Sequence, residues 1–320
     1  MQPPNYPPLP RRFRRVRLLV VGCGDVGQRL ARLLCKDWKV YGVARSAETL
    51  ARVRLSGAVP LAAGSPRRRL ERLADRVVLA APPGAAPSAA AGLGRAVDSL
   101  TRRVTARLLA GAMAGRRVRL VYLGTTGVYG DREGRWTDET GPIRPATDRA
   151  RRRAAAERWL RRTAAKSSRL QASLLRIPGI YAADRLPLAR LAERLPALRR
   201  EDDVMTNHIH ADDLARIVRV ALLRARPQRA YNAVDDTAMA MGDYLDAVAT
   251  WAGLPPPPRL ERAALLDRVT PLRASFMSES RRLSNRRIKR ELRLRLRHPT
   301  VASFLAETSP PPGSRPPQRI

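Results

Sequence analysis

Short apolar runs alternate along the chain with longer segments whose apolar residues recur every three to four positions. The runs "RVRLLVVG", "WKVYGVAR", "AVPLAAG", "RVVLAAPP", "VRLVYLGTTGVYG", "LQASLLRIPGIY" and "RAYNAVD" read as strands with their following loops. Helical spacing predicts helices over Asp25–Cys35, near Ala47–Leu55, through Leu93, Val97, Leu100, Val104 and Leu108, over the arginine-rich stretch Pro145–Arg162, and around Asp243–Ala252. Asp212 and Asp213 sit in the first turn of a further helix begun by "HADDLARIV". Such alternation predicts an α/β fold with a mostly parallel sheet covered on both faces. After about Tyr181 the alternation loosens, which marks a smaller lobe. The expected division is therefore 1–14 as a disordered, basic and proline-rich extension, 15–180 as the main domain, 181–307 as the smaller lobe with segments returning to the sheet, and 308–320 as a disordered tail.

Composition changes this picture little. The formal charge of +34 would ordinarily point to a polyanionic partner. Lysine, however, occurs only at Lys36, Lys39, Lys166 and Lys289, and the arginines are spread over the whole chain. No aromatic residues interleave the basic stretch "SRRLSNRRIKRELRLRLRH", so a solvated basic surface is favoured over nucleic-acid binding. Within it, Leu292–Arg297 alternates strictly and suits a half-buried edge strand. Cys23 and Cys35 give no disulfide framework and no metal cluster. The longest apolar run near the start is too short for a membrane span and lacks a signal-peptide cleavage site, so a cytoplasmic protein is expected.

The stretch "VVGCGDVGQRLARLL" places Gly22, Gly24 and Gly27 in G-x-G-x-x-G order between a strand and an amphipathic helix. There the first glycine allows a tight turn and the second lets backbone approach a pyrophosphate. The third lets the helix pack closely, with phosphate at its positive end. This makes the expected fold a Rossmann-type doubly wound α/β sheet with a smaller C-terminal lobe. An NAD site carries an acidic residue about twenty positions on, but here Arg45 and Ser46 end the second strand. A guanidinium and a hydroxyl suit a 2′-phosphate, so NADP is favoured, with NAD possible.

"GTTGVYGD", "LLRIPGIY" and "IHADDLA", taken with the glycine motif, resemble the extended short-chain dehydrogenase/reductase superfamily of NAD-dependent epimerases and dehydratases. The resemblance runs from about Val16 to Pro299. It implies that Thr125 and Tyr129 stand at the catalytic loop and that Pro178 lies beside the nicotinamide. It also implies that Asp25, Val26, Ala81, Pro82 and Pro83 belong to the cofactor loops, with Tyr181 and His210 on the substrate side. Members carry Tyr-x-x-x-Lys four residues ahead of a Glu. Counting back from Glu157 puts Arg153 at the lysine position and Arg149 at the tyrosine position. The proton-transfer pair is thus absent. Arginine has no neutral form near pH 7, although Arg153 can still donate hydrogen bonds to ribose or phosphates.

Three functional readings follow. The first is an NADP-dependent oxidoreductase or epimerase-like enzyme with non-standard proton donors, acting on an unidentified small molecule. The second is a catalytically silent NADP(H)-binding sensor or regulator. The third, and most distant, is a nucleic-acid binder that borrowed the fold. The chain is expected to be a monomer or homodimer, without a metal and without a membrane partner.

Overall fold

The structure, a computed structural model, describes residues 15–64, 74–82, 99–269, 274 and 277–310. Seven strands build the central sheet: β1 (Arg17–Val21), β2 (Lys39–Ala44), β3 (Val59–Ala62), β4 (Arg76–Leu79), β5 (Val118–Leu123), β7 (Leu170–Arg176) and β12 (Ala230–Asn232). Their order is β12-β7-β5-β4-β1-β2-β3, and every neighbouring pair is parallel. Among the described residues, four short pairs lie outside the sheet. They are β6 (Trp136–Thr137) with β15 (Arg282–Leu283), β8 (Gly179–Tyr181) with β11 (His208–His210), β9 (Ala197–Leu198) with β14 (Arg259–Leu260), and β10 (Met205–Thr206) with β13 (Met239–Ala240).

Period-2 alternation along each strand divides the core into two layers. In β1, Leu18 and Val20 face one cluster while Leu19 and Val21 face the other. The first layer is closed by α1 (Asp25–Leu34) and α6 (Ala211–Arg224), whose buried side carries Leu214, Ile217, Val218 and Leu222. The second is closed by α3 (Ser99–Met113) and α4 (Asp148–Ala164), through Leu108 and Leu160. With helices on both faces and all strands parallel, this is the Rossmann-type sheet that the strand–helix alternation predicts. α2 (Ala47–Leu55) lies where the spacing places it.

The arginine-rich helix α4 is seated by its small residues. Ala150, Ala154, Ala156 and Leu160 form its buried stripe. Thr147 caps its start by accepting from the Ala150 amide at 3.2 Å. Trp159 donates to Thr105 Oγ1 at 2.9 Å and so ties α4 to α3. Of the seven arginines between Pro145 and Arg162, Arg153 alone is buried.

Beyond Tyr181, α5 (Leu188–Ala192), α7 (Met241–Ala252) and α10 (Val301–Glu307) surround a separate apolar cluster containing Tyr181, Leu191, Leu245, Val248 and Phe304. α8 (Arg262–Leu266) and α9 (Arg286–Glu291) are short. The expected edge strand at Leu292–Arg297 does not form. Leu292 and Leu294 are buried in the first core layer and Arg293 and Arg295 are exposed, so the alternation is real. Arg293, however, has φ +53, which breaks an extended backbone, and the Arg297 and His298 amides are captured by the Asp213 carboxylate at 2.8–2.9 Å instead of by a neighbouring strand. The expected helical positions Leu93 and Val97, the loop residue Pro83, the 1–14 extension and the end of the 308–320 tail lie outside the described residues. Among the described residues no helix is long and apolar enough to cross a membrane. No group of His, Cys, Asp or Glu there is arranged to hold a metal ion.

Candidate functional site

A cleft of about 830 Å³ opens at the carboxyl ends of the central strands. Ligands of open α/β sheets bind at that edge, where the strand order reverses direction. Here the reversal falls between β1 and β4.

One wall is the β1–α1 turn. The Gly22 and Cys23 amides both donate to Val43 O, at 3.1 and 2.8 Å, which pins the turn to β2. Gly22 has φ +86, and a Cβ there would stand 2.4 Å from the Ala81 amide nitrogen. Only glycine fits both demands. Gly27 faces Val20 and Cys23, each about 3.0 Å from a would-be Cβ, so α1 packs tightly on the strand. Gly24 differs: a Cβ there would meet nothing within 4 Å. Gly24 caps α1 without a side-chain bond, and the first-turn N–H groups of a helix have no intrahelical acceptor. Open space and uncapped amides at a helix start make an anion cradle. Asp25 and Val26 complete this wall, the Asp25 carboxylate being paired with Arg29 at 2.9 Å and Arg185 at 3.0 Å.

The facing wall comes from β5, β7 and the start of α4. Thr125 and Gly127 form the turn after β5, with Thr125 Oγ1 accepting from the Gly127 amide at 3.2 Å. Pro178, Arg149 and Arg153 stand beside it. Arg153 donates through Nη1 to Leu123 O at 2.9 Å and to the Tyr122 hydroxyl at 3.2 Å, while its buried Nε has no acceptor. A third side is closed by Thr206, Asn207, Glu279 and Arg281. Glu279 Oε2 accepts from Arg281 at 2.6 Å, and the same Arg281 Nη1 donates to Gly130 O at 3.0 Å. Glu279 Oε1 is buried without a partner.

Gly22, Gly24, Asp25, Val26, Gly27, Thr125, Arg153 and Pro178 are therefore brought together. Ala81 packs against Gly22 with its amide on Val21 O, and Pro82 is exposed next to it. Arg45 and Ser46 lie exposed past the end of β2, away from the cleft lining. The Ser46 hydroxyl is engaged in capping α2 through Thr49.

Three sequence candidates lie elsewhere. Tyr129 is fully buried, with its hydroxyl donating to Asn232 Oδ1 at 2.7 Å and accepting from Arg176 at 2.8 Å. Burial pushes that phenol up to about 12 against the pull of the Arg176 guanidinium. Tyr181 lines a smaller cavity of about 220 Å³ with His208 and Tyr244, which adjoins the cleft through Ile180 and Met241. His210 is buried among His298, Phe304 and Tyr181, and its Nδ1 accepts from the Asp212 amide. That bond makes the imidazole the backbone cap of α6. Glu279, Arg281, Arg185 and Asn207 went unmarked in the sequence. They belong to no spaced motif and reach the cleft only through tertiary packing.

The lining is cationic and rich in amide and hydroxyl donors. Such a surface holds phosphates and ribose hydroxyls well.

Solved structures share this architecture along nearly the whole chain. A functionally unknown conserved protein from Silicibacter pomeroyi is 29% identical, with a TM-score of 0.77 over 91% of this chain and 99% of its own. A nucleoside-diphosphate-sugar epimerase from Pseudomonas aeruginosa is 18% identical, with a TM-score of 0.70 over 92% and 96%. UDP-glucuronic acid 4-epimerase from Bacillus cereus, in complex with NAD, is 16% identical with a TM-score of 0.69 over 92% and 97%. No curated protein matches the sequence. The profile of one family matches residues 18–234, from the first strand of the sheet to just past its last, and by that match the chain belongs to the NAD dependent epimerase/dehydratase family.

Proposed function

We propose that the cleft binds a nicotinamide dinucleotide, NADP in preference to NAD, and that the protein uses it on a small-molecule substrate in an oxidoreductase or epimerase-like reaction. The observation that carries this reading is the uncapped start of α1 at Gly24, open on its outer side and facing Thr125, Arg149 and Arg153 across the cleft. The Bacillus cereus epimerase bound to NAD supports the choice of ligand by its shared fold.

In this reading the turn at Gly22, Gly24 and Gly27 receives the pyrophosphate, with Asp25 and Val26 at its side. Arg45 meets a 2′-phosphate from beyond β2. Arg153, fixed by Leu123 O and Tyr122, offers its guanidinium at the cleft lining to a ribose hydroxyl, while Thr125 and Pro178 flank the nicotinamide. When bound, the dinucleotide supplies hydride exchange at its ring. Arg149 and Arg153 take the places of the family's tyrosine and lysine. As arginines they hold and orient ligands but cannot serve as general acids or bases. Of the carboxylates lining the cleft, Asp25 is doubly paired, so Glu279, with one oxygen uncommitted, is the candidate to carry a proton.

The second reading, a dinucleotide-binding regulator without turnover, is favoured by Arg149 at the tyrosine position and by the close pairing of Glu279 with Arg281. NADPH fluorescence titration tests both readings, since absence of binding at micromolar concentrations removes them together. NADPH consumption with a panel of carbonyl compounds and sugar nucleotides then separates them. Turnover that falls in Glu279→Gln while NADPH affinity holds supports the enzyme, and binding without any turnover supports the regulator.

A further inference from the structure

A second cavity, of about 1260 Å³, shares no lining residue with the cleft. It is built where β6 pairs with β15, the ladder setting Trp136 opposite Arg282. Three residues past β15 the chain enters α9 at Arg286. The cavity is bounded by that helix, by the segment after β12 and by Arg226 beyond the end of α6.

Each carboxylate of the cavity already has a partner. Glu139 accepts from the Asn232 amide at 2.8 Å and lies 3.4 Å from Arg287. Glu291 is held by Arg229 at 3.1 Å, Asp236 by Asn285 at 2.7 Å and by Lys289, Asp138 by the Thr140 amide at 2.8 Å, and Asp235 by the Thr237 amide at 2.9 Å. The arginines are in excess. Arg226, Arg286, Arg290 and Arg293 are all exposed, and among the described residues none has a carboxylate within 4.0 Å. Arg286 and Arg290 stand one turn apart on α9, so their like charges repel along one face. Such a group is stabilised by a multivalent anion, and guanidinium forks match phosphate oxygens two at a time. On the same cavity, Trp136 leaves 63% of its surface exposed. An exposed indole beside phosphate-binding arginines offers a stacking face for a flat base.

We infer that this cavity is a second ligand site, which takes a nucleoside diphosphate or triphosphate with its base on Trp136 and its phosphates on Arg226, Arg286, Arg290 and Arg293. The site is independent of the dinucleotide cleft and stands whether or not that cleft binds NADP.

Tryptophan fluorescence of the full chain titrated with ADP tests it, with inorganic pyrophosphate and adenosine as competitors. ADP is expected to quench the emission, pyrophosphate to reverse the quenching and adenosine to have little effect. The quenching should vanish in Trp136→Phe, and the Arg286→Ala/Arg290→Ala double variant should weaken ADP binding about tenfold or more. Quenching that persists in Trp136→Phe would place the nucleotide near another tryptophan and overturn the proposal. So would an unchanged affinity in the arginine double variant, or failure of pyrophosphate to compete with the unaltered protein. Absence of ADP binding up to about 1 mM, alongside tight binding of RNA, would show a nucleic-acid surface instead and also sink it.

Discussion

Arg176 and Glu157 form an ion pair at 2.9 Å in which each side chain keeps only 2% of its surface exposed. The pair joins the end of β7 to the middle of α4, and Arg176 extends the contact to Tyr129, which in turn holds Asn232 of β12. Burial opposes charge on Arg176, but the Glu157 carboxylate outweighs it and holds the guanidinium charged. Removing one partner of such a pair leaves an uncompensated buried charge. Glu157→Ala should destabilise the fold by about 3–5 kcal/mol in urea denaturation. A loss below about 1 kcal/mol would mean that the pair is hydrated in solution.

Gly22 and Gly24 should respond oppositely to the same change. Gly22→Ala forces a Cβ into the Ala81 backbone at a φ of +86 and should cost about 2–4 kcal/mol of stability. Gly24→Ala meets no protein atom, so its melting should be nearly unchanged while NADPH affinity drops, because the added methyl occupies the space left for phosphate. Equal NADPH affinity in Gly24→Ala would remove the pyrophosphate from this turn.

In the proposed reading Arg45 sets the coenzyme preference. Arg45→Asp should lower NADPH affinity relative to NADH by about tenfold or more, since a carboxylate repels a 2′-phosphate and accepts from ribose hydroxyls. An unchanged ratio from paired titrations refutes its role.

Stability should peak near pH 6.5. Burial lowers His208 and His210 to about 4, with the His298 charge adding to the effect at His210, so both are neutral in the folded chain. Their contribution is present above the ordinary histidine range and is lost as pH falls through about 6.5 toward 4, because the unfolded chain then binds more protons. Asp235 has the opposite sign. Burial raises it to about 8, so its contribution is present below the ordinary carboxylate range and is lost as pH rises toward about 8. Below about 6.5 two histidines outweigh one carboxylate. Above it the histidine contribution is complete and the decline from Asp235 remains. Asp235→Asn should flatten the alkaline decline in denaturation midpoints, and a decline of equal slope in that variant contradicts the assignment.

Tyr129→Phe separates structure from chemistry. The hydroxyl links Arg176 to Asn232 inside the core, so its loss should cost about 1–3 kcal/mol with NADPH affinity retained. An activity abolished by Tyr129→Phe yet intact in Arg149→Ala would instead make the phenol a participant.

The sheet was legible because parallel strands covered on both faces are mostly apolar, and β1 and β2 are so past their first residue, as are most positions of β5 and β7. The glycine turn was legible because its demands are local: Gly22 and Gly27 answer contacts made within one strand–helix unit and its nearest neighbours. Tyr129 and His210 were not, since their side chains turn toward partners 47 and 103 residues away or into a ring cluster that spacing does not reveal. The leucine–arginine alternation at Leu292–Arg297 produced the burial of a strand without its hydrogen bonds, because Asp213 supplies the acceptor in place of an adjacent chain. Glu279 and Arg281 belong to the same class. Their place is set by loop packing, in which Ser280 O accepts from the Arg132 and Gly134 amides.

That late closure orders events on the ribosome. The glycine turn at residues 22–27 is synthesised some two hundred and fifty residues before the wall supplied by Glu279 and Arg281. A nascent chain that has completed its sheet still lacks one side of its cleft, so a ligand that needs all three walls can be held only after Arg281 has emerged.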